Sequence, residues 1–189
     1  MSTAAPPPRS GRFTLRRGTP DGPASAWVWL ASWGPCGLAP VAPGTVGTLG
    51  AVPLFWLLRP LPLWLYLVTL VGFAAMAVRA AEVAGAHWKA VDASPIVIDE
   101  VAGYLVTMAL VPWSAGGALL GFLLFRLFDV WKPWPVSALD RWKSGTGVVA
   151  DDLAAGLWAA AAYALLVHLL RAFPGCSPAA AFWCLELLP

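Results

Sequence analysis

Two long apolar runs limit what this chain can fold into. Residues 61–81 and 148–173 each reach the roughly 20 residues that an apolar helix needs to cross a bilayer. The whole chain is 59% hydrophobic and only 12% charged, with a mean hydropathy of +0.71 and 12 Trp. Because lipid offers no partner for the backbone groups of an open strand, we predict that both runs are helices in a membrane.

Four further apolar segments lie at 26–33, 48–58, 96–111 and 117–128. We predict helices here too, although 48–58 and 117–128 are short for a bilayer, so these helices must tilt, borrow from their flanks or enter the membrane only in part. The predicted fold is therefore all-α, a multihelical integral membrane bundle with short or broken helices.

The ends of the chain differ in composition from this helical part. Residues 1–25 are rich in Pro, Gly and Ser and carry four Arg, which predicts a disordered basic arm. No small-residue cleavage site follows the first apolar stretch, so we do not expect a signal peptide. The predicted organisation is an arm at 1–25, a helical membrane domain at 26–175 and an apolar tail at 176–189.

The basic residues of short loops indicate an orientation in the membrane. If the N-terminal arm is cytoplasmic and four helices cross before the last one, most basic residues face the cytoplasm. Eight of the ten acids fall on or near the same face, namely Glu82, Asp92, Asp99, Glu100, Asp129, Asp140, Asp151 and Asp152. We therefore expect a polar site at the cytoplasmic face.

Five of these acids come from three helix ends, and they would repel one another without a counter-ion. They are Asp99, Glu100, Asp129, Asp151 and Asp152. A divalent cation removes the repulsion, and ligands that are all oxygen suit Mg²⁺ or Mn²⁺ better than zinc. The alternative is that each acid caps a helix or meets an Arg or Lys. For Asp151, an N-cap of a helix at Leu153 stays open.

The sequence FRLFDVWKPWP places Arg126, Asp129 and Lys132 three residues apart, on one face of a helix that Pro133 ends. An Arg and a Lys beside an acid can bind a phosphate next to a metal ion. The alternative is an interfacial relay of charges, with nearby Trp residues at the level of the lipid headgroups.

Several other patterns are less specific. PGTVGTLG at 43–50 is typical of a loop before a helix that could bind an anion, but it lacks the GK[ST] ending of a nucleotide P-loop, and a plain turn is an equal alternative. Gly103 and Gly156 share helix faces with Glu100 and Asp152 and would allow close helix packing. His87 and His168 lie near no Ser or Cys nucleophile motif, and we expect no nucleic-acid partner.

Taken together, the blocks GLAPVAPGTVGTLGAVP, DEVAG, FRLFDVWKPWP, the Asp140-Arg141 step and GTGVVADDLAAG resemble the phosphatidylglycerophosphatase A family of bacteria, in order and in spacing, over about 34–156. The resemblance implies an all-helical, Mg²⁺-dependent phosphatase. It also implies the bacterial inner membrane as its location and phosphatidylglycerophosphate, hydrolysed to phosphatidylglycerol, as its substrate. Thr48 stands where the family usually has Ser, which keeps the hydroxyl.

On this basis we expect the five acids to supply the metal ligands and the general base, without dividing these roles among them. Arg126, Lys132 and Arg141 are expected to bind the phosphate, with Thr45 and Thr48 as further donors. The competing hypothesis is a transporter or channel for a divalent cation, which predicts acids at several depths, including the far face. The sequence leaves a homo-oligomer open.

Overall fold

The computed structural model describes residues 20–111 and 114–172, without the side chains of 171 and 172. Within these residues the regular structure is helical throughout, which confirms the all-α prediction. Seven α-helices and one short 3-10 helix follow in order: α1 (Ala26–Ala31), the 3-10 helix (Cys36–Leu38), α2 (Pro43–Leu58), α3 (Leu63–His87), α4 (Ile98–Met108), α5 (Ala115–Trp131), α6 (Val136–Leu139) and α7 (Gly145–Ala172). Most of the predicted arm, residues 1–19, and the predicted tail lie outside the described residues.

Helices α3 and α7 are the two long elements, with 25 and 28 residues. Both are long and apolar enough to cross a membrane by length and composition. Leu67 and Val71 on α3 and Leu165 and Leu169 on α7 are exposed, so each helix turns an apolar face outward. Such faces suit contact with lipid.

Helix α4 lies at the centre of the bundle, where α2, α3, α5 and α7 pack against it. A Cβ atom on Gly103 would lie 2.6 Å from the carbonyl oxygen of Asp152, and one on Gly156 would overlap the carbonyl oxygen of Gly103. The backbones of α4 and α7 therefore touch, as the two glycines predicted. This contact brings the acids of the two helices together.

The first turns of α2 and α7 differ from the prediction. PGTVGTLG is not a loop, because α2 already begins at Pro43, where a proline suits the first helical position. Helix α7 begins at Gly145, and the Ser144 hydroxyl accepts a hydrogen bond from the Gly147 amide at 3.1 Å. Asp151 consequently lies in the second turn of α7, so the alternative of an N-cap was wrong.

One end of the bundle is formed where α2, α4 and α7 begin and α3 and α5 end. Each acid that residues 20–111 and 114–172 contain lies there. Besides the acids of the site, this holds for Glu82, which packs against Gly145, and for Asp21, whose amide donates to the His87 carbonyl oxygen at 2.9 Å. In the described chain the acids therefore all lie at one end of the bundle. The transporter hypothesis predicts acids at several depths instead.

Candidate active site

A cavity of about 350 Å³ opens at this end of the bundle between α4, α5 and α7. All five of the acids predicted for the site line it. Asp92 and Asp140 add two more carboxylates, and the cations in its wall are Arg126, Lys132 and Lys143. The apolar part of the wall consists of Val91, Val130, Trp142 and Val148.

Three of the acids converge on one point. Asp99 and Glu100 lie in the first turn of α4 and Asp152 in the second turn of α7, and each offers an oxygen atom within 4.8 Å of the other two. Asp99 and Asp152 are buried, and the side chain of Glu100 is 16% exposed. These three carboxylates could hold a metal ion.

The surroundings of Asp99 and Glu100 support a metal site at these carboxylates. Burial raises the pKa of Glu100 to about 7. Burial, and next the neighbouring charge of Glu100, raises the pKa of Asp99 well above its usual range. Oε2 of Glu100 is buried and has no hydrogen-bond partner among the described residues. A cation ligated by these oxygens would supply the missing partner and offset the repulsion.

Arg126 stands beside this cluster. Its Nη1 atom lies 2.6 Å from Oδ2 of Asp129, one turn further along α5, and 3.8 Å from Oε1 of Glu100. The side chain is 22% exposed, so the guanidinium is largely withdrawn from water. Asp129 therefore pairs with a cation and does not join the group of three.

Lys132 forms a second, separate charge cluster. It follows the last residue of α5 in a left-handed conformation with φ = 49°, and its Nζ donates to Oδ1 of Asp140 at 2.5 Å and to Oδ2 of Asp151 at 2.6 Å. Burial alone would lower the pKa of Lys132, but the two carboxylates together raise it. The hydrogen bond from Lys132 in turn lowers the pKa of Asp140. Lys132 is therefore held as a cation at the wall of the cavity.

Three of the residues predicted to bind substrate lie outside the cavity wall. Thr48 is buried, and its hydroxyl donates to the carbonyl oxygen of Gly44, one turn earlier, at 2.8 Å. Thr45 is half-buried and Arg141 is exposed, and neither lines the cavity. The structure thus brings Arg126 and Lys132 to the acids, but not these three side chains.

Sequence reasoning missed some of the wall. The sequence predicts Asp140 on the same face as the other acids but not its pairing with Lys132. It does not indicate Lys143 either, whose Nζ donates to the carbonyl oxygen of Asp140 at 3.1 Å. Both belong to the segment between α5 and α7, where no regular spacing indicates which side chains face inward. Asp92, in the segment between α3 and α4, was missed for the same reason.

Comparison with known proteins relates this geometry to an enzyme family. Residues 29–167 match the family described as phosphatidylglycerophosphatase A. The phosphatidylglycerophosphatase A of Escherichia coli (strain K12) is 35% identical over 155 residues, which cover 77% of this chain and 86% of the relative. The phosphatidylglycerophosphatase A of Haemophilus influenzae is 32% identical over 126 residues, covering 65% of this chain and 77% of the relative.

A third relative has a different name. A Bacteroides thetaiotaomicron protein, provisionally named a phosphatidylinositol-3-phosphatase, is 34% identical over 133 residues, covering 65% of this chain and 81% of the relative. No solved structure matches the chain. The family match includes every residue that lines the cavity, and the chain therefore belongs to the phosphatidylglycerophosphatase A family of enzymes.

Proposed function

We propose that this protein hydrolyses phosphatidylglycerophosphate to phosphatidylglycerol and inorganic phosphate, with Mg²⁺ bound by Asp99, Glu100 and Asp152. The observation that carries the proposal is the convergence of these three carboxylates within 4.8 Å, beside Arg126 and Lys132 in one cavity. The family to which the chain belongs supports the choice of substrate.

The choice of Mg²⁺ follows from the donor set. The three ligands are all carboxylate oxygens, and in the described chain no cysteine or histidine lines the cavity. Such a set suits Mg²⁺ better than zinc. When bound, the ion would supply positive charge to the phosphoryl oxygens. The same charge would lower the repulsion among the three buried acids.

Two of the three cations of the wall, Arg126 and Lys132, suit the binding of a phosphomonoester. Arg126 faces the cluster with Asp129 holding its guanidinium, so the side chain would bind a phosphoryl oxygen without first having to be ordered. Lys132 has three N–H donors and uses two of them on Asp140 and Asp151, which leaves one for the phosphate. Asp129 and Asp151 thus serve to position cations.

The reaction consumes one water molecule. Its oxygen bonds to phosphorus, the bond from phosphorus to the glycerol oxygen breaks, and that oxygen takes up a proton as the lipid alcohol leaves. Positive charge from Arg126 and Lys132 would stabilise the phosphoryl group as negative charge shifts during this exchange.

The membrane placement supports a lipid substrate. Helices α3 and α7 are long enough to cross a bilayer, and their apolar outer faces would keep the acyl chains beside the protein. More basic residues lie at the end that carries the cavity than at the opposite end. This distribution favours an orientation at the bacterial inner membrane in which the cavity faces the cytoplasm.

The test is the release of inorganic phosphate from phosphatidylglycerophosphate by the purified full chain, with Mg²⁺ and with a chelator. We expect release that depends on Mg²⁺ and that Asp152→Asn abolishes. Asp21→Asn is the matched control, since Asp21 is an exposed acid at the same end of the bundle and outside the cavity. Release without a divalent metal, or an undiminished Asp152→Asn variant, would overturn the mechanism.

Two added measurements separate the alternatives. Phosphatidylinositol 3-phosphate in the same assay tests the substrate class that the name of the Bacteroides relative suggests. Flux of divalent cations into liposomes that contain the protein, without any phosphate release, would favour the transporter over the phosphatase.

A further inference from the structure

The Glu100 side chain packs against the backbone of α2 at Gly44. Gly44 is the second residue of α2, and a Cβ atom there would overlap Oε1 of Glu100 and lie 3.0 Å from its Cδ atom and 3.3 Å from Nη1 of Arg126. Real Cβ atoms essentially never come as close to another atom as this one would come to Oε1. Only glycine therefore leaves the carboxylate of Glu100 where it now lies.

The two oxygens of Glu100 have different surroundings. Oε1 lies near Gly44 and 3.8 Å from Nη1 of Arg126, whereas Oε2 is buried and lacks a hydrogen-bond partner in residues 20–111 and 114–172. A side chain at position 44 would push Oε1 away from α2. Because the carboxylate is rigid and planar, Oε2 would move with it.

We infer that Gly44 is a positioning residue, which by lacking a side chain sets the place of the Glu100 carboxylate in the metal-binding group and the approach of Arg126 to it. This inference rests on the proposed function and deepens it. The inference also gives a reason for a glycine at position 44 of PGTVGTLG that does not require the backbone to bind an anion. The reason is the space that the Glu100 carboxylate of α4 occupies.

A neighbouring glycine on the same helix provides a contrast. A Cβ atom on Gly47 would lie 2.6 Å from Cβ and 2.9 Å from Cγ2 of Val97, which is buried at the start of α4. There the obstacle is a branched, packed side chain, so Gly47→Ala should disturb packing. At Gly44 the obstacle is the end of the flexible Glu100 side chain. This end can move with little loss of stability, but the carboxylate then leaves its position in the metal-binding group.

The experiment compares Gly44→Ala, Gly47→Ala and Gly72→Ala in the purified full chain. Gly72 is the matched control on α3, because a Cβ atom there would meet nothing within 4 Å. Binding of Mn²⁺ alone is followed by electron paramagnetic resonance, and stability by thermal unfolding in a chelator. Neither readout depends on catalysis.

We expect Gly44→Ala to weaken Mn²⁺ binding by roughly tenfold to a hundredfold, as for residues that orient metal ligands. Its unfolding temperature without metal should stay close to that of Gly72→Ala. Gly47→Ala should show the opposite pattern, with a lower unfolding temperature and Mn²⁺ affinity close to wild type.

A double-mutant cycle with Glu100→Gln tests whether the effect passes through Glu100. In that background, Gly44→Ala should weaken Mn²⁺ binding no further. Additive losses would overturn the inference, and so would a Gly44→Ala variant that binds Mn²⁺ like Gly72→Ala or that fails to fold. If the wild-type protein binds no Mn²⁺ at all, the proposed metal site falls as well, which distinguishes the two failures.

Discussion

Nη1 of Arg126 lies 2.6 Å from Oδ2 of Asp129, and this pair separates one acid of the cavity from the three that converge. The two residues are one turn apart on α5, so the helix itself fixes their spacing. The ion pair therefore holds Arg126 at the cavity wall beside Glu100.

The separation of Asp129 from the three converging acids predicts different defects for Asp129→Asn and Asp152→Asn. Asp129→Asn should leave Mn²⁺ affinity within about threefold of wild type but lower kcat/KM for lipid phosphate by up to roughly a hundredfold, because Arg126 loses its anchor. Asp152→Asn should abolish both Mn²⁺ binding and the release of phosphate. The checks are Mn²⁺ titration and steady-state phosphate release. Loss of Mn²⁺ binding in Asp129→Asn to the same degree as in Asp152→Asn would show that Asp129 is a ligand after all.

A second prediction concerns Lys132 and Asp151. Lys132→Met leaves the buried carboxylate of Asp151 without its cation and should destabilise the protein by about 1–3 kcal/mol. Thermal unfolding in detergent should show a drop of roughly 2–4 °C for each kcal/mol in a chain of this size.

Two controls sharpen that measurement. Adding Asp151→Asn to Lys132→Met should restore part of the stability, since the buried side chain at 151 is then neutral and only the more exposed Asp140 keeps a charge without Lys132. Lys89→Met removes an exposed ion pair with Asp21 and should change stability by less than about 1 kcal/mol. A Lys132→Met variant as stable as Lys89→Met would contradict the expectation.

The raised pKa of Glu100 predicts how the stability of the metal-free protein depends on pH. Burial raises this pKa from an ordinary 4.5 to about 7, so between these values the folded chain binds more protons than the unfolded chain. Stability therefore falls as the pH rises through this window. The pKa of Asp99, raised by burial and by Glu100, acts in the same direction.

The measurement is thermal unfolding with a chelator at about pH 5 and about pH 8, repeated with Mg²⁺. The metal-free protein should be less stable at the higher pH, and Mg²⁺ should narrow the difference. Glu100→Gln should reduce the pH dependence. A metal-free protein that gains stability on going to the higher pH would refute the assignment.

The contact between α4 and α7 gives a fourth prediction. Gly156→Ala places a methyl group onto the carbonyl oxygen of Gly103, and a backbone atom cannot move aside, so we expect a loss of about 1–3 kcal/mol. Gly72→Ala on α3 meets no atom and should stabilise by up to about 1 kcal/mol through helix propensity. Equal unfolding temperatures for the two variants would show that α4 and α7 do not pack this closely.

Sequence reasoning predicted the elements better than their starts. The lengths of the apolar runs were enough to predict α3 and α7, and acids next to those runs were expected to meet at one end. Both starts that were wrong are rich in glycine: the loop or turn expected at PGTVGTLG is the first part of α2, and α7 begins at Gly145 rather than at residue 148. In the structure these glycines lie in helices, where Gly147 meets the backbone of Trp142 and Gly47 meets Val97. Tertiary packing here outweighs the low helix propensity of glycine.

The division of the acids could not be predicted from spacing. Asp151 and Asp152 are adjacent, and sequence alone does not show which of them turns toward α4. That depends on the rotation of α7, which the contact between Gly103 and Gly156 sets. The partners of Lys132 likewise depend on its left-handed backbone conformation after α5. A lysine in the sequence does not predict that conformation.

The late position of the two aspartates in α7 has a consequence for access. They follow Gly145 by six and seven residues, which in a straight helix places them roughly 10 Å beyond its first residue. If α7 crosses the membrane from that residue, the phosphate must descend into a hydrated recess below the bilayer surface. The wall of the cavity carries charged side chains that suit the phosphate of the headgroup, so a preference for lipids over soluble phosphomonoesters would arise from the high local concentration of lipid in the plane of the membrane.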